Sequence, residues 1–139
     1  MTRSKTKRVL FVCIGNCCRS QMAEGFARHY GGDVLSAESA GLSPAGVVVP
    51  ETVRSMAEKN IDISDHYSKG LHAEQAKDFD LIVNMSGYDL PESIRAPIRN
   101  WVVADPIGES DAVYAKVRDQ IETLVMNLIL EFRRNHKKR

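Results

Sequence analysis

The chain is short of most features that announce a function. Its 19 Lys and Arg against 18 Asp and Glu leave a net charge of +1, so no whole-protein field draws it to nucleic acid or to a membrane surface. No apolar run approaches the ~20 residues needed to cross a bilayer. Near the N-terminus positive charge is followed only by a brief apolar run, Val9 to Cys13. That is too short for the core of a signal peptide, and the expected location is the cytoplasm. Cysteine is limited to Cys13, Cys17 and Cys18, all within six positions, which excludes a disulfide framework and fits a reducing compartment. Internal repeats and low-complexity tracts are absent.

What remains is ordinary globular composition, 43% hydrophobic and 27% charged over 139 residues, enough for one domain with a buried core. Basic residues gather at the ends, in "TRSKTKR" and "RRNHKKR", and about residues 1–6 and 133–139 are expected to be flexible and solvated. Val9 to Val12 is an apolar, β-branched run of the kind found in strands buried on both faces. Met22, Phe26 and Tyr30 then recur every four residues, one face of a helix that Gly31-Gly32 ends. A second strand is expected from Val34 to Ala40. Pro50 suits the first turn of a second helix with Val53, Met56 and Ala57 inward. A short helix falls near His72 to Lys77, "FDLIVNM" is another buried strand, and "NWVVADP" is a short strand halted by Pro106. From Val113 to Phe132 helical spacing holds, with Asp111 to cap that helix or to place negative charge at its positive end. Strands alternating with helices predict an α/β, three-layer architecture: a parallel sheet with helices on both faces. Ligands in such sheets bind beyond the carboxyl ends of strands, where Cys13 stands.

The stretch "CIGNCCRS" must turn from strand to helix within a few residues. A chain so bent points several backbone N–H groups inward, and the helix dipole adds positive potential. Gly15 allows the bend, and Asn16 tolerates a left-handed backbone. Arg19 offers a planar fork matched to two oxygens of a tetrahedral oxyanion. In that field the Cys13 thiol is expected to fall from about 8.5 into the range of about 3.5–7.5, and Ser20 can donate to the resulting thiolate. A metal site is disfavoured, because all the thiols share one loop beside an arginine. A Cys17–Cys18 disulfide would be strained. Cys13 as a merely buried small residue would be the default if it stood alone, but it stands with Gly15, Asn16, Arg19 and Ser20.

"VLFVCIGNCCRSQMAEGFA" resembles the signature of the low-molecular-weight protein tyrosine phosphatase superfamily, a C-x5-R-S loop near the N-terminus. The resemblance continues through "SAG" at Ser39–Gly41, "FDLIVNM" and "DP" at Asp105–Pro106. It implies a four-stranded parallel sheet and a cysteinyl-phosphate intermediate, with no metal or organic cofactor. Cys13 is then the nucleophile, and the loop amides of Ile14, Gly15, Asn16, Cys17 and Cys18 hold the oxyanion together with Arg19. Asp105 matches the family's general acid. Ser20, Ser39 and His66 are supporting residues: Ser39 is expected to hydrogen-bond the loop and His66 to brace Asn16. His29, His72 and His136 carry no motif and are expected at the surface, and Arg118 with Asp119 reads as an exposed charge pair.

Within that superfamily the expected activity is a phosphomonoesterase acting on a phosphorylated protein or a small aryl phosphate. Two observations complicate it. The mouth segments "GLSPAGVVVPE" and "DPIGES" contain no aromatic to stack on a phosphotyrosine ring, unless Tyr67 or Tyr88 walls the pocket. "CRSQMAEGFA" and "DPIGESDAVYAKVRDQI" look more like the arsenate reductase branch. Its thioredoxin-coupled members relay electrons through two cysteines after the third strand, where this chain has Ser86 and Tyr88 in "NMSGYDLP". The alternative is therefore an arsenate reductase served by an external thiol, a glutaredoxin or a thioredoxin. Cys17 or Cys18 could resolve an adduct on Cys13. Cys13–Cys18 pairing, however, resembles the reversible oxidative protection of the phosphatase branch and is expected to be a redox safety catch. Cys17 stands where the motif commonly holds another residue and is assigned no role. A catalytically silent phospho-ligand binder is a third reading, disfavoured by the presence of nucleophile, arginine and acid together.

Overall fold

The computed structural model describes residues 6–137. The elements run β1 (Lys7–Cys13), α1 (Arg19–Gly31), β2 (Leu35–Gly41), α2 (Pro50–Ala57), α3 (Ala73–Ala76), β3 (Leu81–Asn84), β4 (Ile98–Asn100) and α4 (Asp111–Lys137). The strands form one parallel sheet in the order β2-β1-β3-β4. β1 is central, paired from Lys7↔Leu35 to Cys13↔Gly41 on one side and Val9↔Leu81 to Val12↔Asn84 on the other.

Alternation along β1 divides the core. Val9 and Phe11 face one side, where Met22 and Phe26 of α1, Met56 of α2 and Ile121, Val125 and Leu128 of α4 close over them. Leu10 and Val12 face the other side, covered by Ala76 of α3, Phe79 and Ile94. The two outer layers are thus unequal: three helices on one face, a single turn of helix and loops on the other. Both leave the carboxyl ends of β1 and β3 open at one pole. Among the described residues no helix is long and apolar enough to cross a membrane.

Several local expectations are corrected. The fourth strand is Ile98–Asn100, not "NWVVADP", because the chain leaves the ladder once Trp101 N–H has bonded Asn84 O (2.9 Å). The inward residues of α2 are Thr52, Ser55 and Met56; Val53 is only partly covered and Ala57 is exposed. Arg118 does pair with Asp119, its Nε donating to Oδ1 at 2.9 Å, but it is not an exposed residue. It is buried, and its guanidinium donates to Ser55 O (3.0 Å) and Glu58 Oε1 (2.6 Å), which pins α2 against α4 and sets the rotation of α2. Ser110, not Asp111, caps α4, its Oγ accepting from Val113 N–H at 3.3 Å, while Asp111 supplies the negative charge of the first turn. Residues 133–137, expected to be flexible, are the last turn of α4, and Arg133 there holds Asp33 (2.8 Å) and Tyr30 O (2.9 Å). Residues 1–5 and 138–139 lie outside the described residues.

Candidate active site

The loop from Ile14 to Cys18 leaves β1 at its carboxyl end and enters α1 without a side-chain cap. Its shape is held from outside. The carbonyls of Cys13, Ile14, Gly15 and Cys17 accept N–H donors from Leu42 (3.1 Å), Ser43 (2.8 Å), Ala45 (2.9 Å) and Val49 (3.2 Å). All peptide bonds here are trans, so each N–H that follows one of these carbonyls points the opposite way. The amides of Ile14, Gly15, Asn16 and Cys18 therefore turn from the outer segment toward the interior of the loop. This is the geometry of an anion nest, at the positive end of a 13-residue helix. Asn16 makes the tightest bend at φ 49°, the left-handed region expected for it. Gly41 lets β2 approach: a Cβ there would stand 2.7 Å from both Asn16 N and Ile14 O.

Cys13 lies at the floor, 2% exposed, with its Sγ 2.9 Å from Ser20 Oγ. Ser20 Oγ also accepts from Asn16 Nδ2 at 2.7 Å, which leaves its own proton free to point at the sulfur. Arg19 is buried and aimed by two carbonyls, Met85 O just past β3 (2.7 Å) and Val103 O in the segment after β4 (3.0 Å). The remainder of its fork is turned toward Asp105, whose Oδ2 stands 3.9 Å from Nη2. The Asp105 side chain is 47% exposed, and its other oxygen accepts Ile107 N–H at 3.0 Å in the turn opened by Pro106. Nucleophile and cation from the two ends of one loop and a carboxylate from a distant segment thus converge on one pole of the sheet.

Behind the loop is a polar network that the sequence did not reveal. Gln21 is fully buried and donates through Nε2 to Asn16 Oδ1 (3.0 Å), Asn16 O (3.2 Å) and Tyr67 O (2.9 Å). Its Oε1 lies 2.9 Å from His66 Nδ1. His66 therefore does not brace Asn16 directly, as expected; Gln21 stands between them. Burial holds the His66 imidazole below its ordinary 6.5. Lys69 N–H supplies another bond to Asn16 Oδ1 (2.8 Å). Ser39 is also corrected: its Oγ donates to Glu24 Oε1 (2.5 Å), not to the loop, and Lys69 Nζ approaches the same pair at 3.4 and 3.8 Å. Glu24 is buried and shared with Arg28 at 2.7 Å. Lys69 sits below its ordinary value because burial outweighs the pull of Glu24. A cleft of about 490 Å³ opens here, lined by Arg28, Glu38, His66 and Lys69 among others, behind the loop and away from Cys13. His29 and His72 are exposed, and the side chain of His136 lies outside the described residues.

The other two thiols differ sharply. Cys18 is 2% exposed and packs into the main core with Met22 and Met56. Burial pushes its pKa up to about 12, against a pull from the Thr52 hydroxyl. Cys17 is half-buried at the mouth, where burial first, then the charges of Cys13 and Asp105, raise it while Arg19 lowers it. All three cysteines are free. Tyr67 does not wall the pocket; its ring lies under the Lys69 ammonium at 4.7 Å and lines the rear cleft. Tyr88 is exposed, and its carbonyl ties down Asn84 and Ser86.

Comparison with known proteins agrees with this geometry. Residues 8–138 match the family model "Low molecular weight phosphotyrosine protein phosphatase". The chain is 39% identical over 127 residues to the glutaredoxin arsenate reductase of Synechocystis, covering 88% of this chain and 96% of that one. Among solved structures it is similar to an arsenate reductase in the phosphate-binding state, with TM-score 0.83 and 37% identity over 91% of this chain and 99% of the other. An arginine phosphatase from Geobacillus stearothermophilus matches with TM-score 0.83 at 25% identity, over 95% of this chain and 96% of the other. Loop, sheet and relatives agree on one conclusion: the chain belongs to the low molecular weight phosphotyrosine protein phosphatase family.

Proposed function

We propose that this protein is an arsenate reductase that takes its electrons from an external thiol of the glutaredoxin or small-thiol class in the cytoplasm. From sequence alone, phosphoester hydrolysis ranks first; the named relatives reverse that order. The observation that carries the reading is a buried thiol at the floor of an anion nest, with no aromatic in the mouth segments "GLSPAGVVVPE" and "DPIGES" and with the Tyr67 ring turned to the rear cleft. Such a cradle suits a small inorganic oxyanion better than an aryl ester.

The Cys13 thiolate, steadied by Ser20, attacks arsenic, and a hydroxyl leaves as water with the proton from Asp105. The loop amides and Arg19 hold the oxygens and the charge that develops on them. A second thiol then attacks the Cys13 sulfur. The S–As bond breaks with its electron pair on arsenic, and arsenite departs as a disulfide forms. A further thiol restores Cys13, so one arsenate and two thiols become arsenite, a disulfide and water.

A phosphomonoesterase is the second reading, favoured by the half-exposed Asp105 carboxylate beside Arg19, where a leaving alcohol would need its proton. It would act on a phosphorylated protein or a small aryl phosphate. One preparation tests both readings. Arsenite formation with glutathione and glutaredoxin, abolished in Cys13→Ser, supports reduction. Efficient metal-free hydrolysis of an aryl phosphate with no arsenite formed would replace it with hydrolysis.

A further inference from the structure

Three features bear on how the Cys13 adduct is resolved. Cys13 is 2% exposed at the floor of the loop, so a protein thiol in solution has almost no access to its sulfur. The positions of the thioredoxin-coupled relay are Ser86 and Tyr88, and neither is a thiol. Cys18, the partner expected from resemblance, is sealed in the core beside Met22 and Met56 and would have to leave that packing to reach Cys13. Cys17 meets none of these obstacles. It is partly exposed, and its sulfur lies against the bare face of Gly15, where a methyl group would stand only 3.0 Å away. Glycine at 15 leaves that sulfur its space. The Cys17 carbonyl is anchored outward to Val49 N–H, and the side chain is not part of the core.

We infer that Cys17 is the resolving thiol of this reductase, forming a Cys13–Cys17 disulfide that an external dithiol then reduces; this rests on the reductase reading above. The Cys17 sulfur bonds to the Cys13 sulfur, the S–As bond breaks toward arsenic, and arsenite leaves. The Cys17 proton passes to Asp105, the carboxylate that gave up its own proton when water left. Burial first, then the charges of Cys13 and Asp105, raise the Cys17 thiol, so its attack needs a base, and Asp105, 3.9 Å from Arg19, is the carboxylate of the site. The external dithiol, of the glutaredoxin or thioredoxin class, needs to reach only the half-exposed Cys17 sulfur. The three thiols then divide by place: Cys13 takes arsenic, Cys17 takes electrons from outside, and Cys18 packs the core.

The test is a single turnover of the fully reduced full-length chain with excess arsenate and no added thiol. Remaining thiols are blocked with one reagent, the disulfide is reduced, and the released thiols are labelled with a second, each sulfur being located by tandem mass spectrometry. About one arsenite per chain is expected, with the second label on Cys13 and Cys17 and the first on Cys18. Cys17→Ser should lose this burst by about tenfold or more yet form arsenite slowly when excess glutathione is supplied. A second label on Cys18 in place of Cys17 overturns the assignment. So does arsenite that appears only with added thiol while Cys17 keeps the first label. Absence of arsenite with and without glutathione and glutaredoxin would sink the reductase reading itself, and the assignment with it.

Discussion

The loop has a rear and a mouth, and they are built on opposite principles. At the rear both side-chain polar atoms of Asn16 and its carbonyl are engaged: Nδ2 by Ser20, Oδ1 by Gln21 and Lys69, and the carbonyl by Gln21. The residues that engage it are buried or half-buried and hold one another through His66, Tyr67 and Glu24. At the mouth, Asp105 and Cys17 are partly exposed, and Val47 and Ile107 stand open to solvent at 54% and 42%. A network of satisfied buried bonds fixes geometry, since each broken bond strands a polar group. An open rim fixes little and admits substrate and reductant. Positioning belongs to the rear, exchange to the mouth.

That division can be broken from either side. Asp105→Asn, at the mouth, should lower turnover by about 10²–10⁴-fold while phosphate affinity, read by competitive inhibition, changes little. Gly41→Ala, at the rear, would drive a Cβ into the backbone at Asn16 and Ile14. Turnover and phosphate affinity should fall together, turnover by about 10²-fold, with about 1–3 kcal/mol lost in urea melts. Retained phosphate affinity in that variant would show that the nest does not depend on β2. Gln21→Leu removes the donor shared by Asn16 and Tyr67, and the melts should report a loss of about 1–3 kcal/mol. Its effect on affinity should exceed its effect on the chemical step. The smallest effect is expected at His66. Its folded pKa lies below 6.5, so the unfolded chain binds the proton first as pH falls. Stability should therefore decline as pH drops through 6.5 and level off below the folded value, a slope that His66→Gln should flatten.

The mouth was far more legible in the sequence than the rear. Cys13 to Ser20 is one continuous segment, and the need to turn from strand to helix in so few residues is itself a local signal. Asp105 was legible only with the cysteine loop in view and by resemblance to the family's Asp-Pro pair, since an aspartate before proline otherwise reads as a turn opener. Gln21 and Glu24 sit among helical residues with nothing to mark them, and their partners Tyr67, His66 and Ser39 lie 15 to 46 positions away. Their roles follow from tertiary placement, as does the inward turn of Thr52 and Ser55, set by Arg118 reaching across from α4. The fourth strand was misplaced for a related reason. "WVV" has strand composition, but the Val103 carbonyl is taken by Arg19, so that stretch serves the site and not the ladder.

The segment that receives the loop's carbonyls has a further meaning for variation. Residues 42, 43, 45 and 49 each lend a backbone N–H to the loop, and Gly46 lends one to Ser68, which in turn grips Gly15 O. Nothing in those bonds depends on side-chain identity. The segment works as a mould that reads only main chain, and its single internal proline, Pro44, falls at a position that lends no such bond. Exposed side chains along the rim, such as Val47, are thus free to drift, while Leu42 and Val48 pack on the core, and a lineage can retune what the mouth admits without recasting the nest below it. Such drift cannot place proline at a donating position, and it must keep Gly46, whose φ of 85° would strain any side chain placed there.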